Sequence, residues 1–417
     1  MTASKPDTRV ITFGCRLNYY ESSIIRRHAE LFSNQNIVVV NTCAVTAEAE
    51  RQARQAIRRA HRELPGYKII VTGCSAQITP DVYDNMEEVD AVVGNKEKLT
   101  AELFRSDGKP VNVGNIMDEH EVSSEILQNK DSRARAFVQI QTGCDHRCTF
   151  CVIPYGRGNS RSVPKEKILR EIQSLIGLGY NEIVLTGVDI TSYGCDLEPR
   201  TKLGTLVKNI LREVRDLRRL RLSSLDPAEL DETLWETLAT NERLMPHLHL
   251  SVQAGHDLIL KRMKRRHSRH DVVSCARKAR HLRPGVTLGA DIIAGFPTET
   301  DEMFKSTQSL IEECKFEFLH VFPYSIRKNT PAARMPMVPV EVRARRARTL
   351  RSIGCQIKHS LFKQSLGSHS EVLLEKPCFG RTKNNIPVTL STQGLPNTVE
   401  NVLLTDIENQ AVLGRIV

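Results

Sequence analysis

Three short apolar runs, VITFGC (10–15), IVVVNTC (37–43) and KIIVTGC (68–74), each end in a cysteine. β-Branched runs of this length read as buried strands. Between them lie helix-like stretches at 19–31 and 46–64, and a further strand, DAVVGN, follows at 90–95. Strand and helix together span about 30 residues, the size of a βαβ unit, so the chain begins with an open parallel sheet. Parallel strands bring their carboxyl ends to one edge, where open α/β sheets bind ligands. Cys15, Cys43 and Cys74, separated by 28 and 31 positions, are therefore expected to converge.

A second set follows in TGCDHRCTFCVIPYGRG (142–158), where Cys144, Cys148 and Cys151 are spaced C-x3-C-x2-C. It comes directly after a strand-like run at 137–143. Further strands are expected at 182–190, 219–226, 247–255, 287–297 and 318–325, separated by helical stretches. Six β/α units are too few for a closed eightfold barrel and enough for a partial one, with its chemistry at the carboxyl ends of the strands. The last 50 residues change to short strands broken by turn residues, a pattern that predicts a small β-barrel. The expected fold is thus α/β in three parts. Residues 1–107 form the N-terminal sheet domain, 108–134 a linker, 135–330 the partial (β/α)6 barrel, 331–365 a basic helical linker and 366–417 the β-barrel.

The N-terminus has no apolar signal core, and no uncharged apolar run nears membrane-spanning length, so a cytoplasmic protein is expected. In that setting the 11 cysteines read as metal ligands where clustered, and as buried inert thiols at Cys195, Cys275, Cys314, Cys355 and Cys378. The net charge of +10 is unevenly placed: 261–283 and 326–363 each carry ten Lys/Arg against one acid. Such concentration points to a polyanion, with Arg265, Arg266, Arg345, Arg346 and Arg348 as candidate RNA contacts. The final barrel has four Lys/Arg and five Asp/Glu, a weak RNA surface by charge.

Three thiolates can hold three irons of a four-iron cluster and leave the fourth open. A structural zinc site would need a fourth protein ligand, for which His146 is the available residue. The C-x3-C-x2-C run after the first barrel strand, with Phe150 before the last cysteine, resembles the radical S-adenosylmethionine (radical SAM) enzymes. In that family S-adenosylmethionine itself chelates the open iron and is cleaved to a 5′-deoxyadenosyl radical. FGCRLNYYES, NTCAVT and VTGCSAQ upstream and a small barrel downstream make the whole chain similar to the methylthiotransferases.

That resemblance implies two 4Fe-4S clusters, an auxiliary one on Cys15, Cys43 and Cys74 and a radical one on Cys144, Cys148 and Cys151. It implies that Phe150 lies against the adenine of S-adenosylmethionine, and that the final barrel is a TRAM-like RNA-binding module. Strand-end placement adds Thr186, Gly187, Ser223, Gln253 and the 293–297 segment, beginning at Ile293, as cofactor contacts. No catalytic His or carboxylate is expected, since a C–H bond of this kind has no useful acidity.

FGCRLNYYES, IPYGRGNSRS and GADIIAGFPTETDEMF resemble the subgroup acting on N6-threonylcarbamoyladenosine at tRNA position 37, beside the anticodon. The expected product is the 2-methylthio derivative. The expected partners are the tRNA anticodon loop, an electron donor and a sulfur donor, with the chain a monomer away from membranes. The alternatives are the isopentenyl-adenosine enzyme, the ribosomal-protein aspartate enzyme, and a zinc-binding RNA protein without catalysis. A radical enzyme whose second cluster only conducts electrons would need a fourth ligand, and 1–107 offers no obvious fourth cysteine.

Overall fold

The computed structural model describes residues 6–104, 111–122 and 133–417. Its first part alternates β1 (Thr8–Thr12), α1 (Arg16–Phe32), β2 (Ile37–Thr42), α2 (Ala47–Glu63), β3 (Lys68–Gly73), the short α3 (Cys74–Ile78) and α4 (Pro80–Asp84), β4 (Ala91–Val93) and β5 (Val111–Asn112). The strands form one parallel sheet in sequential order. Alternation divides its side chains between two faces. Val38, Val40, Ile69 and Val71 pack with Ile57 and Ala60 of α2, while Ile37, Val39 and Ile70 pack with Ile25 and Ala29 of α1. The expected linker over 108–134 lies partly outside the described residues, and its described start supplies β5 to the sheet's edge.

The second part contains β6 (Arg135–Gln139), β7 (Gln141–Thr142), α5 (Ile153–Arg157), β8 (Arg161–Ser162), α6 (Lys165–Gly177), β9 (Glu182–Thr186), α7 (Leu203–Glu213), β10 (Arg219–Leu222), α8 (Glu232–Thr240), β11 (His247–Gln253), α9 (Asp257–Met263), α10 (Arg269–Leu282), β12 (Thr287–Ala294), α11 (Asp301–Cys314) and β13 (Phe318–Pro323). Strands β6, β9 and β10 make one parallel sheet, and β11, β12 and β13 another. Single bridges, Leu220 to Leu244 and Leu225 to Leu250, join them into one six-stranded curved wall. No ladder joins β6 to β13 among the described residues, so the barrel is partial. Its large core runs from Val138 and Ile140 through Leu185, Leu220 and Leu250 to Ile292.

The run at 137–143 is split: Ile140 interrupts it, and β7 turns away to pair antiparallel with β8. The 26-residue helix α12 (Val340–Ser365) crosses from the barrel to the last part, burying Ala347, Leu350, Gly354 and Phe362. Strands β14 (His369–Lys376), β15 (Phe379–Thr382), β16 (Pro387–Leu390), β17 (Val399–Glu408) and β18 (Ala411–Ile416) then close a five-stranded barrel in the order β14-β15-β16-β18-β17. Closure removes the sheet edges that so short a domain could not otherwise cover. Among the described residues, no helix is long and apolar enough to cross a membrane.

Candidate functional site

Cys15 sits at the N-cap of α1, Cys43 directly follows β2, and Cys74 opens α3 after β3. The register pairs Thr12 with Asn41 and Thr42 with Gly73, so the three sulfurs leave the sheet at one level of one edge. Two glycines make room for them. At Gly14 (φ +92°) an added Cβ would lie 2.5 Å from the Cys43 sulfur, and at Gly73 (φ +97°) it would strike the Thr42 backbone. Burial pushes the Cys43 thiol up to about 12, and the charges of Cys74 and Cys15 add to the effect. A thiol so held releases its proton to a metal rather than to water.

The second triad follows β7. Gly143 (φ +71°) has no room for a side chain against the Asn159 carbonyl, and the Cys144 amide donates to the Gly158 carbonyl at 3.1 Å. Burial raises Cys144 to about 12 and Cys151 to about 11. Arg265 donates to the Cys148 sulfur at 3.7 Å, and Asp226 (2.8 Å) and the Ser251 carbonyl (2.9 Å) hold its guanidinium there. His146 does not offer a free ligand to this triad. Its Nε2 is 2.9 Å from Asp189 and also meets Arg266, although Cys144, His146 and Asp189 have ligand atoms within 4.8 Å of one another. The thiol sets and the space kept open by glycine fit a cluster at each triad.

The two triads face each other. Cys74, Ala44 and Val152 share one small core cluster, and the position of a Cβ at Gly156 would be 3.3 Å from the Cys74 Cβ. Cys151 feels the charge of Cys74. A buried polar strut joins the two parts beside the sulfurs. Arg157, one turn after the second triad, donates to Glu21 at 2.6 and 2.9 Å and to Asn18, whose side chain is 3.9 Å from the Cys15 sulfur. Lys98 donates to Glu21 and to Asn95, each at 2.6 Å, and Asn95 in turn reaches the Cys74 sulfur at 3.8 Å. Burial alone would raise Glu21, but Arg157 and Lys98 outweigh it and hold the carboxyl down to about 2. Lys98 shifts the other way, lowered by burial, because it shares its one carboxylate with Arg157. The carboxylate in contact with both cations is the centre of the strut.

Phe150, Gln253 and Ile293 come together in a cleft of about 230 Å³, closed by Val45 and Thr46 after Cys43 on one side and Tyr324 and Arg327 on the other. Arg327 pins this junction through Glu50 and the Ala44 carbonyl. Thr186, Gly187 and Ser223 do not line the cleft. Thr186 ends β9 as a buried residue, Gly187 is packed against Gln141, and Ser223 follows β10 with a buried hydroxyl that lacks a partner among the described residues. The apolar–polar lining of the cleft fits a bound nucleoside.

Two candidate RNA contacts are corrected. Arg265 is buried against Cys148, and Arg346 is buried against Glu299 (2.8 Å) and Asp301 (2.7 Å). Neither faces solvent, because a charge count along a helix does not show which side packs. Arg345 and Arg348 are exposed on α12, and Arg266 is half-exposed against Glu229. The lone cysteines divide likewise: Cys275 and Cys314 are buried as expected, while Cys195, Cys355 and Cys378 are exposed.

A second, larger cleft of about 720 Å³ opens between β6 and β13, where α1, α12 and the last barrel meet. Its walls include Arg16, Arg135, Arg351, Lys358 and Arg381 with His247, His249 and His320. The Asp291 carboxylate, which also lines the smaller cleft, accepts from His249 (2.9 Å) and His320 (3.2 Å). Burial, then the like charges of Arg135 and Arg221, pulls the Arg16 guanidinium down to about 10. None of Glu21, Lys98, Arg157 and Arg16 was singled out by sequence reasoning. Only the charge of Arg16 and Arg157 next to cysteine motifs could have marked them.

Residues 138–311 match the family model of the Radical SAM superfamily, and 7–94 match that of Uncharacterized protein family UPF0004. The chain is 51% identical over 381 residues to the threonylcarbamoyladenosine tRNA methylthiotransferase of Rickettsia prowazekii, covering 91% of this chain and 90% of that one. It is 35% identical to the Bacillus subtilis protein of the same name, over 88% and 84%. It is 32% identical to the tRNA-2-methylthio-N(6)-dimethylallyladenosine synthase of Anoxybacillus flavithermus, over 97% and 79%. Among solved structures, the radical S-adenosylmethionine methyltransferase TsrM from Kitasatospora setae shares the fold, with a TM-score of 0.58 at 14% identity, over 79% of this chain and 77% of that one.

Proposed function

The chain belongs to the threonylcarbamoyladenosine tRNA methylthiotransferases of the radical SAM superfamily, and from that premise we propose how its residues divide the work. It is an enzyme that uses S-adenosylmethionine and a 4Fe-4S cluster to modify tRNA. Cys144, Cys148 and Cys151 hold that cluster, and Cys15, Cys43 and Cys74 hold a second one. When bound, these groups supply one-electron chemistry that removes hydrogen from an unactivated C–H bond, and the sulfur that replaces it.

The protein's own part is position, charge and exclusion of water. Arg265, held by Asp226, keeps a positive charge on the Cys148 sulfur, where it offsets the thiolate. Phe150 and Ile293 give the cofactor cleft its apolar wall, and Gln253 a polar end. The strut of Glu21, Lys98 and Arg157 keeps the two triads at fixed separation, so that sulfur and target carbon meet without solvent between them. The carbon is position 2 of the adenine at tRNA position 37, and splaying out an anticodon-loop base is how such an atom reaches a cleft. The exposed Arg345 and Arg348 of α12 and the half-exposed Arg266 meet the RNA backbone.

The domain limits follow the same division: 1–107 for the sulfur-bearing part, 135–330 for the radical core, and 366–417 for the TRAM-like barrel, with linkers at 108–134 and 331–365. An external electron donor and sulfur donor complete the cycle, and the chain works as a cytoplasmic monomer.

The observation that supports the two-cluster reading is the arrival of Cys15, Cys43 and Cys74 at one sheet edge, with Cys74 packed against Val152 beside the second triad. Anaerobic reconstitution followed by iron and sulfide analysis tests it, with about eight irons per chain expected. About four would remove the second cluster, and zinc in place of iron would remove the radical chemistry. Cys148→Ala should abolish cofactor cleavage, while Cys43→Ala should leave cleavage and stop methylthiolation. Full methylthiolation by Cys43→Ala would refute its role.

A further inference from the structure

The cations around the larger cleft are nearly all engaged. Arg135 pairs with Glu375 at 2.9 Å and Arg381 with the same carboxylate at 3.3 Å. Arg351 donates to the Val321 carbonyl at 2.8 Å, Lys358 to Gln410 at 3.1 Å, and His249 and His320 share Asp291. Arg16 differs. It lines the cleft and lies near the like charges of Arg135 and Arg221, yet it has no hydrogen bond or ion pair among the described residues. The guanidinium is partly exposed to the cleft, and its repulsion by the neighbouring cations is relieved when an anion binds there. A chain that keeps such a group has an anion to receive.

The place of Arg16 narrows the choice of anion. It directly follows Cys15, and it is near enough to Asp291 to feel that carboxylate. Asp291 lines the cofactor cleft of Phe150, Gln253 and Ile293, and its partners His249 and His320 line the basic cleft. Arg16 therefore lies between the first cysteine triad and the Asp291 wall of the cofactor cleft, in an opening through which a base can enter. In adenine, carbon 2 and the carbon bearing N6 flank the same ring nitrogen, so an N6 substituent projects from the edge that carries the reacting carbon. A threonylcarbamoyl substituent ends in a carboxylate a few bonds away, whereas a dimethylallyl substituent is uncharged.

We propose that Arg16 is the residue that selects the threonylcarbamoyl group, by donating hydrogen bonds to its carboxylate in the basic cleft between β6 and β13. The proposal rests on the threonylcarbamoyladenosine reading above and adds the means of discrimination. An uncharged N6 substituent would bury the guanidinium without relief, so the same residue rejects the dimethylallyl base. His249 and His320 occupy Asp291 and limit its repulsion of the incoming carboxylate. A backbone phosphate is the other anion of an RNA. It suits Arg351, Lys358 and Arg381, which lie towards α12 and the last barrel, better than a group next to the cysteine edge.

The test is binding of anticodon stem–loop RNAs to the reconstituted protein with S-adenosylmethionine present, measured as dissociation constants. One RNA carries threonylcarbamoyladenosine at position 37, one plain adenosine, and one the threonylcarbamoyl methyl ester. The wild-type protein should favour the free carboxylate over both others by roughly 10- to 100-fold, the range of one charge-assisted pair. Arg16→Gln should remove that preference without weakening binding of the plain RNA, and Arg16→Lys should retain part of it. Iron content and cofactor cleavage of each variant show that the neighbouring cluster is intact. The ester comparison uses the wild-type protein alone and stands even if a variant fails to fold. Equal binding of acid and ester overturns the proposal. So does an equal loss by Arg16→Gln on all three RNAs, which assigns Arg16 to a phosphate. No binding of any RNA would overturn the tRNA reading together with the proposal.

Discussion

Replacing Glu21 by Gln should unfasten the junction between the two cysteine triads. The carboxylate is buried and accepts from Arg157 at 2.6 and 2.9 Å and from Lys98 at 2.6 Å. Glutamine keeps the shape but leaves two buried cations without a counter-charge. The drop of Glu21 from 4.5 to about 2 corresponds to about 3 kcal/mol of favourable interaction with its surroundings. Breaking a buried pair from one side costs about 3–5 kcal/mol by mutational experience, so the two routes agree. Lys98→Met is the discriminating companion. It leaves Glu21 and Arg157 as a neutral pair and removes a lysine that burial already disfavours, so it should change stability by about 1 kcal/mol or less. The assay is urea unfolding of the reconstituted protein. Hydrogen exchange at 16–32 and 153–157 would report whether the junction opens first. Glu21→Gln within about 1 kcal/mol of wild type, or Lys98→Met as damaging as Glu21→Gln, would refute the reasoning.

Glu171, buried against Tyr20, is raised by burial to about 8. A carboxyl raised in the folded state costs stability as pH climbs from its unfolded value near 4.5 to about 8. Glu171→Gln should therefore gain on wild type by roughly 2–3 kcal/mol between pH 6 and pH 9 in denaturant titrations, and parallel curves would contradict the burial argument. Gly143→Ala forces a side chain into left-handed backbone against the Asn159 carbonyl. It should lose iron at the second triad and keep it at the first, as read by iron analysis and electron paramagnetic resonance. Replacing Arg345 and Arg348 together by Gln should weaken tRNA binding and lower the slope of log K against log salt by about 1–2. An unchanged slope would move the RNA footprint off this helix.

Much of this was legible before any coordinates. Cys15, Cys43 and Cys74 each close a β-branched run at the spacing of a βαβ unit. That repeat alone sends them to one sheet edge, because parallel strands joined by right-handed crossovers have no other arrangement. The spacing of Cys144, Cys148 and Cys151 is local, and a local spacing survives any packing. The turn-rich last segment likewise required a small closed sheet.

What the chain alone did not disclose is which charges turn inward. Arg265 and Arg346 belong to basic segments that read as solvent-facing, but each is drawn into the core by carboxylates distant in sequence, Asp226 and Glu299. Glu21, Lys98 and Arg157 come from three separate segments and acquire meaning only where two parts meet. Arg16 directly follows the first cysteine inside the FGCRLNYYES motif, and only the opening between β6 and β13 gives it a cleft to face. Strand periodicity and cysteine spacing depend on neighbours along the chain and so are written in it. Burial of a charge depends on desolvation and on partners brought together by folding, and these exist only in the tertiary structure.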